Sequence, residues 1–146
     1  MGKLLGISTR TKRKAPMDLH TEAAVTFEKG VAEDSRGIYR GKRQVTVLSS
    51  EAWQEACADL GKEIPWITRR ANFLIDGIRL QGTKGKKLKV GTCLLEITGE
   101  LEPCNRMDEQ FEGLTDILSI DWRGGVTCKI LAEGEVSVGS EGCLLD

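Results

Sequence analysis

Apolar residues recur along this chain with two different periods. In "EVSV" (Glu135–Val138), Val136 and Val138 alternate with polar neighbours, the two-residue period of a strand with one buried face. Short β-branched or apolar runs at Gln44–Leu48 ("QVTVL"), Leu88–Val90, Cys93–Thr98 ("CLLEIT") and Val126–Leu131 predict further strands. Gly91-Thr92 has the glycine-first form of a two-residue hairpin turn, and Glu133-Gly134 in "LAEGEVSV" marks a second hairpin. The period lengthens to that of a helix in "SSEAWQEACADLG". There Trp53, Ala56, Cys57 and Leu60 share a face, Ser49 or Ser50 can cap the start, and Gly61 can stop the run. A second amphipathic stretch follows residue 104. Phe111, Leu114, Ile117 and Leu118 fall on one face, with Asp108 as the N-cap and Gly113 as a weak point.

Short strands, hairpins and two helices predict a mainly β (α+β) fold, a closed or nearly closed β-barrel of short strands with a few peripheral helices, rather than a parallel α/β sheet. Seventeen glycines against three prolines agree with many tight turns. At 146 residues the chain has room for one domain. Its core is expected over about residues 15–140, with the basic segment 1–14 as a flexible extension. The apolar run Leu4–Ile7 is too short for a secretion signal and no later run approaches a membrane span, so a cytoplasmic protein without membrane contact is expected. A formal net charge of -1 supplies no general attraction for nucleic acid. The basic stretches "RTKRK" and "KGKKLK" (Lys84–Lys89) have only Trp66 and Phe73 anywhere near as stacking aromatics, so RNA contact is the weakest reading.

Five cysteines with no C-x-x-C pair, and a single histidine, His20, argue against a zinc site and against a disulfide framework. Cys57 on the helix face and Cys93 and Cys128 in strand patterns read as small hydrophobes, and Cys143 as a frayed bystander. Cys104 in "LEPCNRM" has a different setting. Pro103 precedes it, Arg106 follows, and it lies between a strand and a helix. A nearby cation and a helix N-terminus favour the thiolate, which can act as a nucleophile, a persulfide carrier or a ligand for a soft metal. An inert loop thiol is the alternative. A Cys–His pair could use only His20, and the common hydrolase, P-loop and dinucleotide motifs are absent.

The arginines gather in turn-like stretches: Arg36, Arg40 and Arg43 with Lys42 in "DSRGIYRGKRQ", Arg69 and Arg70 in "TRRAN", and Arg123 in "WRGG". If these loops meet at one rim, their guanidinium forks and nearby glycine amides form a pocket for phosphate or carboxylate. Against that stands the reading of each as a solvated surface charge, balanced by an almost equal number of acids.

Taken in order, these segments resemble the MOSC domain, named for the C-terminal domain of molybdenum cofactor sulfurases, and in particular its small stand-alone bacterial members. The resemblance runs from about Ala15 to Ser140. It includes "KGVAEDSRG", "RQVTVLSSEAW", and "PWITRRANFLIDGIRL" with Asn72-Phe73 at the family's asparagine-leucine pair. "KLKVGTCLLEITGELEPCNRM" puts Cys104 at the family's hallmark cysteine, and "DWRGGVTCKILAEGEVSVG" resembles the closing hairpin. There are two departures: Glu33-Asp34 stands where the family turn reads Gly-Asp, and Val138-Gly139-Ser140 where it closes with Val-Gly-Asp. The first puts a side chain where backbone freedom is expected.

The resemblance implies a β-barrel and a cysteine that handles sulfur. Cys104 would either carry sulfur as a persulfide for delivery to metal–sulfur centres, or ligate the metal of a molybdenum cofactor (molybdopterin) that reduces N-hydroxylated compounds. It further implies a cofactor-binding set of Arg43, Arg69, Arg70, Asn72, Arg106 and Arg123, a sulfur donor or redox partner protein, and, at the level of the family, an association with pyridoxal phosphate. The alternative function is a non-catalytic module that binds the pterin cofactor or another anion. Neither the substrate nor the oligomeric state follows from the sequence.

Overall fold

A computed structural model describes residues 2–12, 15–32, 43–103 and 106–145, with Arg106 described by its backbone alone. In chain order the strands are β1 (Gly2–Thr9), β2 (Asp18–His20), β3 (Glu22–Thr26), β4 (Gly30–Val31) and β5 (Val45–Ser49), and helix α1 (Ser50–Leu60) follows. After a short 3-10 turn at Trp66–Arg69 come β6 (Phe73–Ile75), β7 (Lys87–Val90) and β8 (Cys93–Glu100). Helices α2 (Arg106–Gln110) and α3 (Leu114–Ser119) precede β9 (Val126–Ala132), β10 (Gly134–Ser137) and β11 (Glu141–Leu145).

Seven of these strands close a barrel in the order β1, β6, β5, β9, β8, β7, β11 and back to β1. Each neighbouring pair is antiparallel except β5 and β6, whose parallel pairing needs a crossover, supplied by α1 and the 3-10 turn. β2 adds to the side of β1, and β10, β3 and β4 form a second small sheet. Period-two alternation sorts the barrel residues. Val45, Val47, Phe73, Ile75, Leu95, Ile97, Val126 and Cys128 fill the interior together with Val25, Val31 and Val136 of the small sheet. Leu48 and Leu74 point outward and meet Trp53, Ala56, Met107, Leu114 and Leu118 in a second core under the helices.

The expected local signals act as physical devices. Ser49 caps α1, its side chain accepting from the Ala52 amide at 3.2 Å, and Gly61 ends the helix in the left-handed region at φ 75°. Gly91-Thr92 forms a tight hairpin, with Val90 paired to Cys93. Two expectations change. The amphipathic stretch after residue 104 is two helices, because Gly113 takes φ 85° and breaks the run. Asp108 then caps the second of them, accepting from the Thr115 amide at 2.9 Å. The hairpin expected at Glu133-Gly134 does not form, since β10 leaves the barrel to pair with β3, Gly134 opposite Val25. A Cβ on Gly134 would lie 2.4 Å from the Thr92 carbonyl carbon, so this exit requires glycine.

The core also extends beyond residues 15–140. Segment 1–14, expected to be a flexible extension, supplies β1, in which Leu4 and Ile7 are fully buried. A register shift between Leu4 and Gly6 interrupts the two-residue period, so the run does not read as a strand. Gly6 lies against the Trp66 ring, where a Cβ would come within 2.6 Å. Cys143 is half-buried in β11 and paired with Lys89, not frayed. No helix among the described residues is long and apolar enough to cross a membrane.

Burial of Ile7 gives a direct check on this correction. Ile7→Ala is expected to lower unfolding stability by about 2–5 kcal/mol in denaturant titration, whereas truncation in a loose N-terminal extension would leave the midpoint unchanged.

Candidate functional site

The segment carrying Cys104 leaves the barrel at the end of β8. Its entrance is fixed at Leu101, which is buried and donates its amide to the Gly125 carbonyl at 2.9 Å. Its far side is fixed at Met107, buried in the core under the helices. Cys104 itself lies outside the described residues, as do Glu33, Asp34, Arg36, Arg40, Lys42 and the side chain of Arg106.

Beside this exit, a row of polar side chains crosses the outer face of the barrel. Thr46 of β5 and Thr127 of β9 are register partners, each flanked by valine or cysteine residues that point inward. Thr98 of β8 sits at a bulge, its Oγ1 2.7 Å from Thr127 Oγ1. At the other end of the row, Asn72 precedes β6. Its Oδ1 accepts from the Thr46 amide at 3.0 Å and its Nδ2 donates to the Ser8 carbonyl at 3.1 Å. Ser8 in turn donates its hydroxyl to the Ala71 carbonyl at 2.6 Å. Asn72 therefore joins β1 to β5 just where β6 begins. Burial of these groups is tolerable because each is hydrogen-bonded.

The arginines do not share one pocket among the described residues. Arg69 is buried, donating from Nε to the Gly124 carbonyl at 2.8 Å and from Nη2 to the Leu101 carbonyl at 2.6 Å. Arg70, in the left-handed region at φ 64°, donates from Nη2 to the Ala15 carbonyl. Arg43 is exposed at the entrance to β5. Arg123 lines a separate cleft of about 240 Å³ between α1, residues 77–81 and Asp121-Trp122. There its Nη1 meets Asp59 Oδ2 at 2.7 Å and its Nε lies 3.8 Å from Glu55 Oε2. The structure thus brings Arg69 and Asn72 to the side of the barrel where β8 ends, and sends Arg123 towards α1.

Electrostatics separate the cysteines. Burial pushes Cys93 up to about 11, and burial with the neighbouring Cys93 pushes Cys128 higher still, so both stay neutral core thiols. Glu100, beside the exit, is raised above the ordinary carboxylate value by burial first and the charge of Glu102 second, with Arg69 opposing. No group of three or more His, Cys, Asp or Glu side chains that could hold a metal occurs among the described residues.

Ser8, Thr46, Thr98 and Thr127 escaped the reading of motifs. For Thr46 and Thr127 the signal is a lone hydroxyl residue inside an apolar run, "VTV" and "VTC", whose residues are all buried.

A family description, "MOSC domain", matches residues 22–141. The YuaD protein from Bacillus subtilis superposes with a TM-score of 0.80 over 97% of this chain and 94% of its own, at 17% identity. YiiM from Geobacillus stearothermophilus does so with a TM-score of 0.79 over 100% of this chain and 76% of its own, at 14% identity. YiiM from Escherichia coli gives 0.73 over 99% and 70%, also at 14% identity. At these identities the likeness is one of fold. A search of curated proteins finds no match.

Glu100 makes stability pH-dependent with a defined sign. A raised folded-state value means that its contribution is intact below the ordinary carboxylate range and is lost as pH rises through the raised value. Glu100→Gln, which cannot ionise, is expected to melt above wild type near neutral pH and to lose that advantage below about pH 4, as thermal unfolding at the two values will register.

Proposed function

The chain belongs to the MOSC domain family, and from that premise we propose that it works with the molybdenum cofactor through the sulfur of Cys104. The link to that cofactor holds at the level of the family. The finer reading is that the Cys104 thiolate either carries sulfur as a persulfide or ligates molybdenum, with a sulfur donor or redox protein as partner. The observation that carries this reading is the family match across residues 22–141, a span that contains Cys104.

The residues at hand suit such a group. Molybdenum held by a pterin needs one soft protein ligand rather than a cluster, and a thiolate is a soft donor. Thr98, half-buried beside the exit, would offer a hydroxyl to a pterin edge, while Thr46, Asn72 and Thr127 are buried and hydrogen-bonded within the protein and would hold that row in place. Exposed Arg43 would offer a guanidinium to the cofactor's phosphate, with Arg70 and Arg106 as the further candidates, since guanidinium groups bind phosphate oxygens in bidentate fashion. Arg69, Asn72 and Arg123 would support this set through the contacts described above. When bound, the cofactor supplies a metal that exchanges electrons in pairs. The protein's own part is to hold the phosphate, orient the pterin edge and present one ionised thiol.

Purified wild-type protein and Cys104→Ser are to be compared for bound molybdenum and for cyanide-releasable sulfur. Cyanide takes the outer sulfur of a persulfide as thiocyanate and leaves a thiolate, so the two forms of the proposal separate by signal. Either signal in wild type, lost in Cys104→Ser, is expected; metal and labile sulfur that are both independent of Cys104 would overturn the proposal.

A further inference from the structure

We propose that the lysine-bearing outer face of β7 docks onto the acidic helical layer of a second copy of this chain, head to tail. This contact is independent of the function proposed above.

Charge is balanced over the whole chain, with 21 lysines and arginines against 22 aspartates and glutamates, but it is not mixed over the surface. Residues 50–64 and 107–121, which hold the helices, carry nine carboxylate side chains, all exposed, and one base, Lys62. Residues 84–89, the turn into β7 and most of the strand itself, carry four lysines and no acid. The barrel holds the two groups apart. The helices cover β5 and β6 through Leu48 and Leu74, while β7 is separated from β5 by β9 and β8, and from β6 by β1 and β11. The lysines therefore stand on the side of the barrel opposite the carboxylates.

Sheet register shows what this face presents. One outward row runs Leu145, Lys87, Glu96, Lys129, and the next runs Cys143, Lys89, Leu94. Lys87, Lys89, Lys129 and Leu145 are exposed, so no helix covers this face as α1 and α3 cover β5 and β6. Glu96 is the one acid in the two rows, 3.4 Å from Lys129 Nζ.

Neither group of charges serves the fold. Glu51, Glu55 and Asp59 follow one another along α1 at four-residue spacing, where like charges repel, and Arg123 offsets only the last two. Lys87 and Lys89 likewise share one face of a strand. Each repulsion is relieved when one face meets the other. A copy of the chain fits better than nucleic acid, because the rows contain leucines and no aromatic side chain on which a base could stack; Phe73 lies inside the barrel and Trp66 against Gly6. The two faces differ, so the contact is heterologous and leaves one free face of each kind on the pair.

Sedimentation velocity of the full chain over a concentration series tests the contact. Wild type is expected to sediment faster as concentration rises at an ionic strength of about 0.02 M, and as a monomer at about 0.5 M, where charges are screened within a few ångströms. Lys87→Glu with Lys89→Glu makes the β7 face acidic, and Glu63→Lys with Glu112→Lys reverses exposed charges on the helical layer. Each pair alone is expected to weaken association by at least about tenfold, and an equimolar mixture of the two proteins is expected to regain it. Lys12→Glu with Lys29→Glu makes the same change in net charge outside both faces, and is expected to behave as wild type. All of these positions are exposed, and if one pair does not fold the other decides. Association that survives reversal of either face, equal weakening by the control pair, or a mixture that stays monomeric would overturn the proposal. Wild type that is monomeric at low ionic strength would overturn it too, and binding of oligo(dT) that depends on Lys87 and Lys89 would then assign the face to nucleic acid.

Discussion

Closure of the seven-strand sheet is the constraint from which the rest of the molecule follows. It is made where β1 meets β11, with Gly2 opposite Gly142 and Lys3 opposite Glu141. A closed sheet has an inside and an outside, and every strand residue must go to one or the other. The inside takes the β-branched and aromatic side chains, Phe73 among the largest of them. The outside of β5 and β6 is then available for α1 and α3 to cover, through Leu48 and Leu74. Glycine is required where the seam is tightest, since a Cβ on Gly142 would come within 2.3 Å of the Ile75 side chain.

The same sorting produces the candidate site. Once Val45, Val47, Val126 and Cys128 point inward, Thr46 and Thr127 must face outward next to each other, and the bulge in β8 brings Thr98 to the same row. Asn72 can reach this row because β6 runs parallel to β5 and starts beside Thr46. The crossover that makes a parallel pair possible thus also delivers Arg69, Arg70 and Asn72 in one short stretch. Arg69 then ties the crossover to the ends of β8 and β9. Fold and site are in this sense one construction, in which a connection demanded by topology carries the polar groups.

Much of this was legible from local patterns, and the exceptions have physical causes. The strand periods at β5, β7, β8, β9 and β10 and the capped helix α1 were readable because propensity, alternation and stop residues agree there. β1 was not, because its bulge breaks the alternation that marks a strand. The break between α2 and α3 was visible only as a weak point at Gly113, since helix periodicity continues across it. Arg69, Arg70 and Arg123 could be singled out as a set but not placed. Sequence spacing cannot say that one fork turns to main-chain carbonyls, another to Ala15 and the third to Asp59. The threonine row was hidden for a different reason: three residues from three strands become neighbours only through register.

The central claim is that one thiol of five is set apart for sulfur or metal chemistry. Native mass spectrometry of the protein as isolated, with fragmentation to locate any added mass, tests it most directly. The account predicts a population heavier than the bare chain by one sulfur atom or by a molybdenum–pterin group, with the addition located on Cys104. Bare chain alone, or an addition located on Cys57 or Cys143, would contradict it.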